Sequence, residues 1–228
     1  MHPRQKQLFL TIVEEYIKTA EPVSSKLIAE KFNLDVSPAT IRNDMMELES
    51  ADLIYQPHVS AGRVPTEFGY KKFVTENVDL TKEISNKVKE EINKIIKNIK
   101  VEESEIRIKS LAKIMAEKSG LAIFVGFKNN DVYYTGLSNL FSEPEFKNTT
   151  LVCNLTAVLD HLDEVMLNIY EQFNEEVMVK IGKDNLFAND CSIVVVKIKN
   201  ILFGIIGPMR MDYQKNVELI NLVKSILG

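Results

Sequence analysis

The sequence predicts an α+β chain in three parts: an N-terminal winged helix-turn-helix over residues 1–78, a helical linker over 79–119, and a mixed α/β domain over 120–228. Three observations carry this. The segment from Val36 to Val64, VSPATIRNDMMELESADLIYQPHVSAGRV, orders a capped helix, a short strand, a loop with a glycine, and an arginine. From Leu80 to Ser119 the composition shifts to Lys, Glu, Asn and Ile, and after Gly120 strand-like apolar runs alternate with helical periodicity.

From Arg4 to Lys18, Leu8, Ile12, Val13, Tyr16 and Ile17 recur at helical spacing, with Pro3 suited to a first helical turn and Glu21–Pro22 as a stop. Ser24 caps a second helix through Lys31 that buries Leu27, Ile28 and Phe32, and Asn33 to Val36 supply a turn. Ser37 caps the third helix, with Pro38 at its first position, where a missing N–H costs nothing. Ile41, Met45 and Leu48 form its core stripe. Rotation by about 100° per residue leaves Ala39, Asn43, Met46 and Ser50 outward, flanked by Thr40, Arg42 and Glu47. In helix-turn-helix proteins this helix end meets base edges, where Arg pairs with guanine and Asn with adenine.

Leu53 to Gln56 reads as a strand, Pro57 to Gly62 as the wing loop, and Arg63–Val64 as the returning strand, with Pro65 ending the pairing. Gly62 is assigned the turn's conformational freedom, and Ser60 and Arg63 contacts to phosphate or the minor groove. His58 on the wing has no partner at ligand spacing. Thr66 caps a fourth helix presenting Tyr70, Phe73 and Val74.

In the linker, Ile84, Val88, Ile92, Ile95 and Ile99 make a narrow apolar seam, which either docks on its own domain or pairs with a second copy. Beyond it, Leu121–Phe127 and Val132–Gly136 are strands around the turn NND, and Thr149 to Phe173 is largely helical. The runs EVMVKIG, CSIVVVKIK and ILFGIIG are further strands, the last two joined by a tight turn at Lys199–Asn200. A final helix runs from Tyr213 to Leu227.

The net charge of −4 offers no bulk attraction for DNA, so the DNA-binding reading rests on where charges point. No apolar run approaches the roughly 18 residues of a membrane span, and the N-terminus lacks a signal-peptide pattern; the expected location is cytoplasmic. Cys153 and Cys191 have no CxxC spacing and read as small packed residues. No phosphate loop or nucleophile elbow is present, and His161 lies among Asp160, Asp163 and Glu164 on a solvated acidic face; neither enzyme activity, metal nor cofactor is expected.

The strings EPVSSKLIAEKF, VSPATIRNDMMELE and YQPHVSAGRVPTEFGYKKFV resemble the N-terminal domain of the HrcA family of bacterial heat-inducible transcription repressors. GLSNLFSEPEF, IGKDN and GIIGPMRMDYQ resemble that family's C-terminal signatures. The resemblance implies a homodimer that binds an inverted-repeat operator in double-stranded DNA upstream of chaperone operons. It further implies a chaperonin partner, loss of repression on heating, and a GAF-like C-terminal domain. It carries over Ala39, Thr40, Arg42 and Asn43 as base-reading residues beside the capping Ser37, with Ser60, Gly62 and Arg63 as the wing, and gives Gly207, Pro208, Arg210, Met211 and Tyr213 a structural role. Family members usually carry an inserted segment with dimer contacts where Phe127 here passes to Tyr133 through a turn.

Two other functions fit parts of the pattern. A ligand-responsive regulator would gather Tyr133, Tyr134, Phe141 and Phe203 around a cleft, and a winged helix used only for protein contacts would show no salt-sensitive DNA binding.

Overall fold

The computed structural model describes residues 1–31, 37–98, 104–128, 131–161, 164, 170–185 and 187–228. The chain divides into two compact units, Met1–Val78 and Asp79–Gly228.

In the first unit, α1 (Pro3–Thr19) is capped by His2, whose ring accepts the Gln5 N–H while the Gln5 side chain accepts the His2 N–H. Leu8, Phe9, Ile12 and Val13 are buried. The helix ends one residue before the expected stop, at Ala20 in the left-handed region (φ 56°). Helix α2 (Ser25–Lys31) is capped by Ser24, whose hydroxyl accepts the Leu27 N–H at 3.1 Å, and it buries Ile28. Phe32 and the turn expected over 33–36 lie outside the described residues. Helix α3 (Pro38–Ser50) starts at the predicted cap, with Ser37 Oγ accepting the Thr40 N–H at 3.2 Å, and seats Ile41, Met45 and Leu48 in the core.

Strands β1 (Ile54–Tyr55) and β2 (Val64–Pro65) pair antiparallel, Ile54 opposite Pro65 and Tyr55 opposite Val64. Pro65 therefore forms a rung rather than ending the ladder; proline is tolerated because this short strand is an edge, where one N–H is dispensable. Arg63 does not pair with β1. Its backbone N–H and C=O bond Val23, the residue between α1 and α2, at 2.8 and 2.9 Å. Helix α4 (Glu67–Asn77) is capped by Thr66 and buries Tyr70 and Val74, with Phe73 half-buried.

In the second unit, α5 (Asn86–Asn98) packs on α6 (Ser104–Ser119). The seam expected on α5 shifts: Ile92 and Ile96 are the buried pair and Ile95 is exposed. One neighbouring helix selects an i, i+4 row, and Ile95 lies about 100° round the helix from Ile96. Ile99 lies outside the described residues. Because α6 packs on strand β3 and the last helix, the expected linker region falls within this second unit.

Strands β3 (Ala122–Phe127), β4 (Val132–Thr135), β5 (Met178–Ile181), β6 (Cys191–Ile198) and β7 (Ile201–Pro208) make an antiparallel sheet in the order β4-β3-β7-β6-β5. One face (Ala122, Phe124, Ile193, Val195, Leu202, Ile206) packs on Leu140, Phe146, Leu155 and Phe187. The first three of these come from α7 (Leu137–Ser142), a 3-10 turn (Pro144–Lys147) and α8 (Thr149–Asp160). The alternate residues, including Val125 and Phe203, face α6 and the final helix α9 (Tyr213–Leu227). The ring of Phe124 lies across Gly204, where a Cβ would meet it at 2.2 Å.

The stretch from Thr149 to Phe173, expected to be largely helical, is helical over α8 and at Glu164 among its described residues. Helix α8 ends at Asp160, Tyr170–Gln172 is a 3-10 turn, and Phe173 is a core residue outside any helix. Residues 162–163 and 165–169, Asp163 among them, lie outside the described residues. Cys191 packs in the core as expected, but Cys153 is exposed on α8. Among the described residues, no helix is long and apolar enough to cross a membrane, and no cluster of His, Cys, Asp and Glu is arranged to hold a metal.

Candidate nucleic-acid interface

The surface that matters is one edge of α3 together with the loop between β1 and β2. Because Ile41, Met45 and Leu48 are held in the core, the helix has no rotational freedom. Ala39, Arg42, Asn43 and Met46 are left exposed, with Thr40 half-buried. Ser37 is exposed too, but its hydroxyl is committed to the cap and lies 3.1 Å from Thr40 Oγ1.

The charges around this edge are sorted by partner. Residues 1–78 contain three arginines, and two are spent on acids of α3. Arg4 makes a two-pronged contact to the buried Asp44, Nε to Oδ2 at 2.7 Å and Nη2 to Oδ1 at 3.0 Å, and the Asp44 carboxylate holds its guanidinium more firmly protonated than usual. Arg63 Nη2 lies 2.9 Å from Glu49. The third acid, Glu47, accepts a hydrogen bond from Gln5. Arg42 carries no ion pair among the described residues. Asp44 and Glu49 are thus paired with cations of other elements, Glu47 is hydrogen-bonded but keeps its charge, and the exposed edge holds Arg42 beside Asn43. Attraction to phosphate depends on local balance at a surface rather than on the chain's total charge.

The wing is a compact turn. Gln56 Nε2 donates to the carbonyls of Val59 (3.0 Å) and Ala61 (2.9 Å), and the Ala61 N–H donates to the His58 carbonyl at 2.8 Å. Ser60 is exposed at its tip, with Oγ 3.5 Å from His58 Nδ1. The assignment of Gly62 to turn freedom is corrected: its φ is not in the left-handed region. A Cβ there would meet the Val23 carbonyl carbon at 2.4 Å, so glycine serves the close approach of the wing base to the α1–α2 connection. The Arg63 side chain is only 12% exposed, so it braces the wing instead of projecting like Arg42. Between α3 and the wing lies a cleft of about 360 Å³ lined by Arg42, Met46, Gln56, Val59, Ser60 and Arg63, among others.

The structure thus brings Arg42, Ser60, Gly62 and Arg63 to one cleft, with Ala39, Thr40 and Asn43 along the helix beside it. Sequence reasoning missed Gln56, Glu49 and Val59. Gln56 had a faint signal, a single amide next to Pro57, but its two carbonyl partners depend on the folded turn.

The four aromatics named for a ligand cleft do not converge. Tyr133 and Phe203 both share a face with Val125, toward α6, and Lys109 Nζ sits 5.7 Å from the Tyr133 ring. Tyr134 and Phe141 belong to the opposite side, where Phe141 meets Phe146 edge-on. His161 on α8's end is exposed, 3.8 Å from Glu164. The C-terminal strings form a brace: Arg210 bonds both Glu143 and Glu145, and Tyr213 hydroxyl lies 3.0 Å from Ser192 Oγ inside the core. Gly207 packs against Leu121 and Met211 fills the core.

Comparison with known proteins locates this architecture. The chain matches the family model "Winged helix-turn-helix transcription repressor, HrcA DNA-binding" over residues 1–79, and "HrcA protein C terminal domain" over residues 64–217. The curated "Heat-inducible transcription repressor HrcA" of Carboxydothermus hydrogenoformans is 25% identical over an aligned length of 330, covering 99% of this chain and 96% of that protein. Its counterpart from Desulforamulus reducens is 26% identical over 335, covering 100% and 96%. A crystal structure described as that of a hypothetical protein matches with a TM-score of 0.73 at 19% identity, covering 100% of this chain and 97% of its own, a likeness of fold.

Proposed function

Because the chain belongs to the HrcA family of winged helix-turn-helix transcription repressors, we propose that it represses heat-shock genes by placing α3 in a DNA major groove with the wing along the adjacent backbone. As a member of that family it is a DNA-binding transcription factor acting as a homodimer, and not an enzyme. The observation that carries the docking is the sorted charge of α3. Asp44, Glu47 and Glu49 are each bonded to another element, while Arg42 and Asn43 stand exposed on the edge that base readout requires.

In this reading Arg42 and Asn43 make the directional base contacts, Ala39 and Thr40 let the helix approach closely, and Ser60 with the backbone around Gly62 meets phosphate. A two-fold dimer presents two such edges, so its operator is an inverted repeat in the promoters of chaperone operons. The chaperonin is its proposed partner, sustaining the active fold and releasing it when heat supplies competing clients. The C-terminal unit is read as GAF-like, supported by its five-stranded antiparallel sheet with helices on both faces. We also infer that the relatives' inserted segment is missing here. The aligned length of 330 against a chain of 228 leaves gaps in this chain, and β3 passes to β4 through a few residues.

A gel shift on a chaperone-promoter inverted repeat, its isolated half-site and a scrambled duplex tests the reading. Retardation of the full repeat at low protein concentration, lost after mild heating and restored by chaperonin with ATP, is the expected result. Equal retardation of all three duplexes, unaffected by heating, would contradict it.

A further inference from the structure

Helix α3 carries adjacent methionines with opposite fates. Met45 is 3% exposed and belongs to the core, whereas Met46 is 55% exposed and lies one turn beyond Asn43 on the outward row that begins at Ala39. Met46 also lines the cleft, whose opposite wall holds Val59, 98% exposed at the wing tip. The helix edge therefore offers two directional polar groups, Arg42 and Asn43, followed by a flexible apolar one. Scattered exposed apolar residues need no explanation in general. Here the position does, because whatever meets Arg42 and Asn43 also meets Met46.

Resting on the DNA-binding reading above, we infer that Met46 is a specificity-determining residue that reads a thymine through its 5-methyl group. The major-groove edge of a base pair presents donors, acceptors and one apolar group, the thymine methyl. A thioether has no N–H or O–H to donate and is a weak acceptor, so it gains little from the polar groups and most from covering the methyl. Its three rotatable bonds let it reach across from a helix positioned by Arg42 and Asn43. The contact excludes water from both partners, and covering one methyl is worth roughly three- to fivefold in affinity. Asn43 and Met46, three residues apart, lie on one helix face and reach neighbouring base pairs, so a thymine is expected next to the position that Asn43 reads.

The test uses the full chain and an inverted-repeat duplex that the protein itself selects from a randomised pool. Each thymine is replaced by deoxyuridine, which removes the methyl and leaves the pairing and the O4 acceptor. Wild type is expected to lose roughly three- to fivefold in affinity at one symmetry-related pair of positions. Met46→Ala loses a similar factor on the thymine duplex and nothing further on uracil, while Met46→Leu keeps the uracil sensitivity. Melting curves of both variants match wild type, since the side chain is outside the core. A wild type that prefers its selected duplex yet is indifferent to uracil at every position overturns the assignment while leaving DNA binding intact. Met46→Ala retaining the full uracil penalty overturns it too. A wild type that selects no sequence at all overturns the reading beneath it as well.

Discussion

Arg63 Nη2 lies 2.9 Å from the Glu49 carboxylate, tying the base of the wing to the last turn of α3. Two elements that line one cleft are thereby tied together.

Arg63→Ala removes that tie from a side chain only 12% exposed, and the expected cost is about 1–3 kcal/mol of stability, seen as a lower melting midpoint. DNA affinity falls as well, by a similar factor on operator and scrambled duplexes, because the wing spacing loosens without altering base contacts. Glu49→Gln keeps the shape and releases the guanidinium's charge. Its plot of log affinity against log salt should steepen by about one counterion. An unchanged melting curve for Arg63→Ala would show the pair to be ornamental.

Gly69 sits in α4, where alanine is ordinarily favoured over glycine by about 1 kcal/mol. A Cβ there would meet the Leu53 carbonyl oxygen at 2.1 Å, a backbone atom that cannot swing aside. The clash decides the sign: Gly69→Ala is expected to destabilise the first unit by about 1–3 kcal/mol, read from chemical denaturation. A stabilised variant would mean that α4 is free to retreat from Leu53.

Ser37→Ala deletes the acceptor for the Thr40 N–H at the start of α3. The expected loss is about 1 kcal/mol. Because the first turn carries Ala39 and Thr40, hydrogen exchange there should accelerate more than at Leu48. Uniform exchange along α3 would separate the cap from the helix's order.

The thiols report on the core. Burial pushes the Cys191 thiol up to about 12 from 9.0, and burial likewise raises the Tyr213 phenol, whereas Cys153 is exposed. A native chain should therefore react with a thiol reagent once, at Cys153, and twice only when unfolded. Both buried groups are held neutral in the fold, while in the unfolded chain they ionise at their ordinary values. Their contribution is complete below pH 9.0, and it declines as pH rises toward 12, since the unfolded chain gives up its protons first. Melting temperatures that stay level across that window would contradict this burial.

Much of this was legible beforehand, and the reason is local. Ser37 with Pro38, the Ile41–Met45–Leu48 stripe, and the final helix are written in short-range rules of capping and periodicity. The outward position of Arg42 and Asn43 followed from the same rotation. What escaped depends on partners distant in sequence. Arg63 looked like a free wing cation until Glu49 and Val23 were seen beside it, and Gly62 looked like a turn residue until the Pro22–Val23 backbone appeared against it. Ile95 and Ile96 are equally apolar, and only the packing of α5 on α6 chooses between them.

We propose that the exposed edge of α3 reads sequence through Arg42. Fluorescence anisotropy of wild type and Arg42→Ala, each on the operator and a scrambled duplex at two salt concentrations, tests it directly. Wild type should prefer the operator and weaken steeply with salt, and Arg42→Ala should lose about 1–3 kcal/mol of that preference while still binding both duplexes in a salt-dependent way. An Arg42→Ala chain that discriminates as well as wild type, or a wild type that binds neither duplex at low salt, would overturn that role for Arg42.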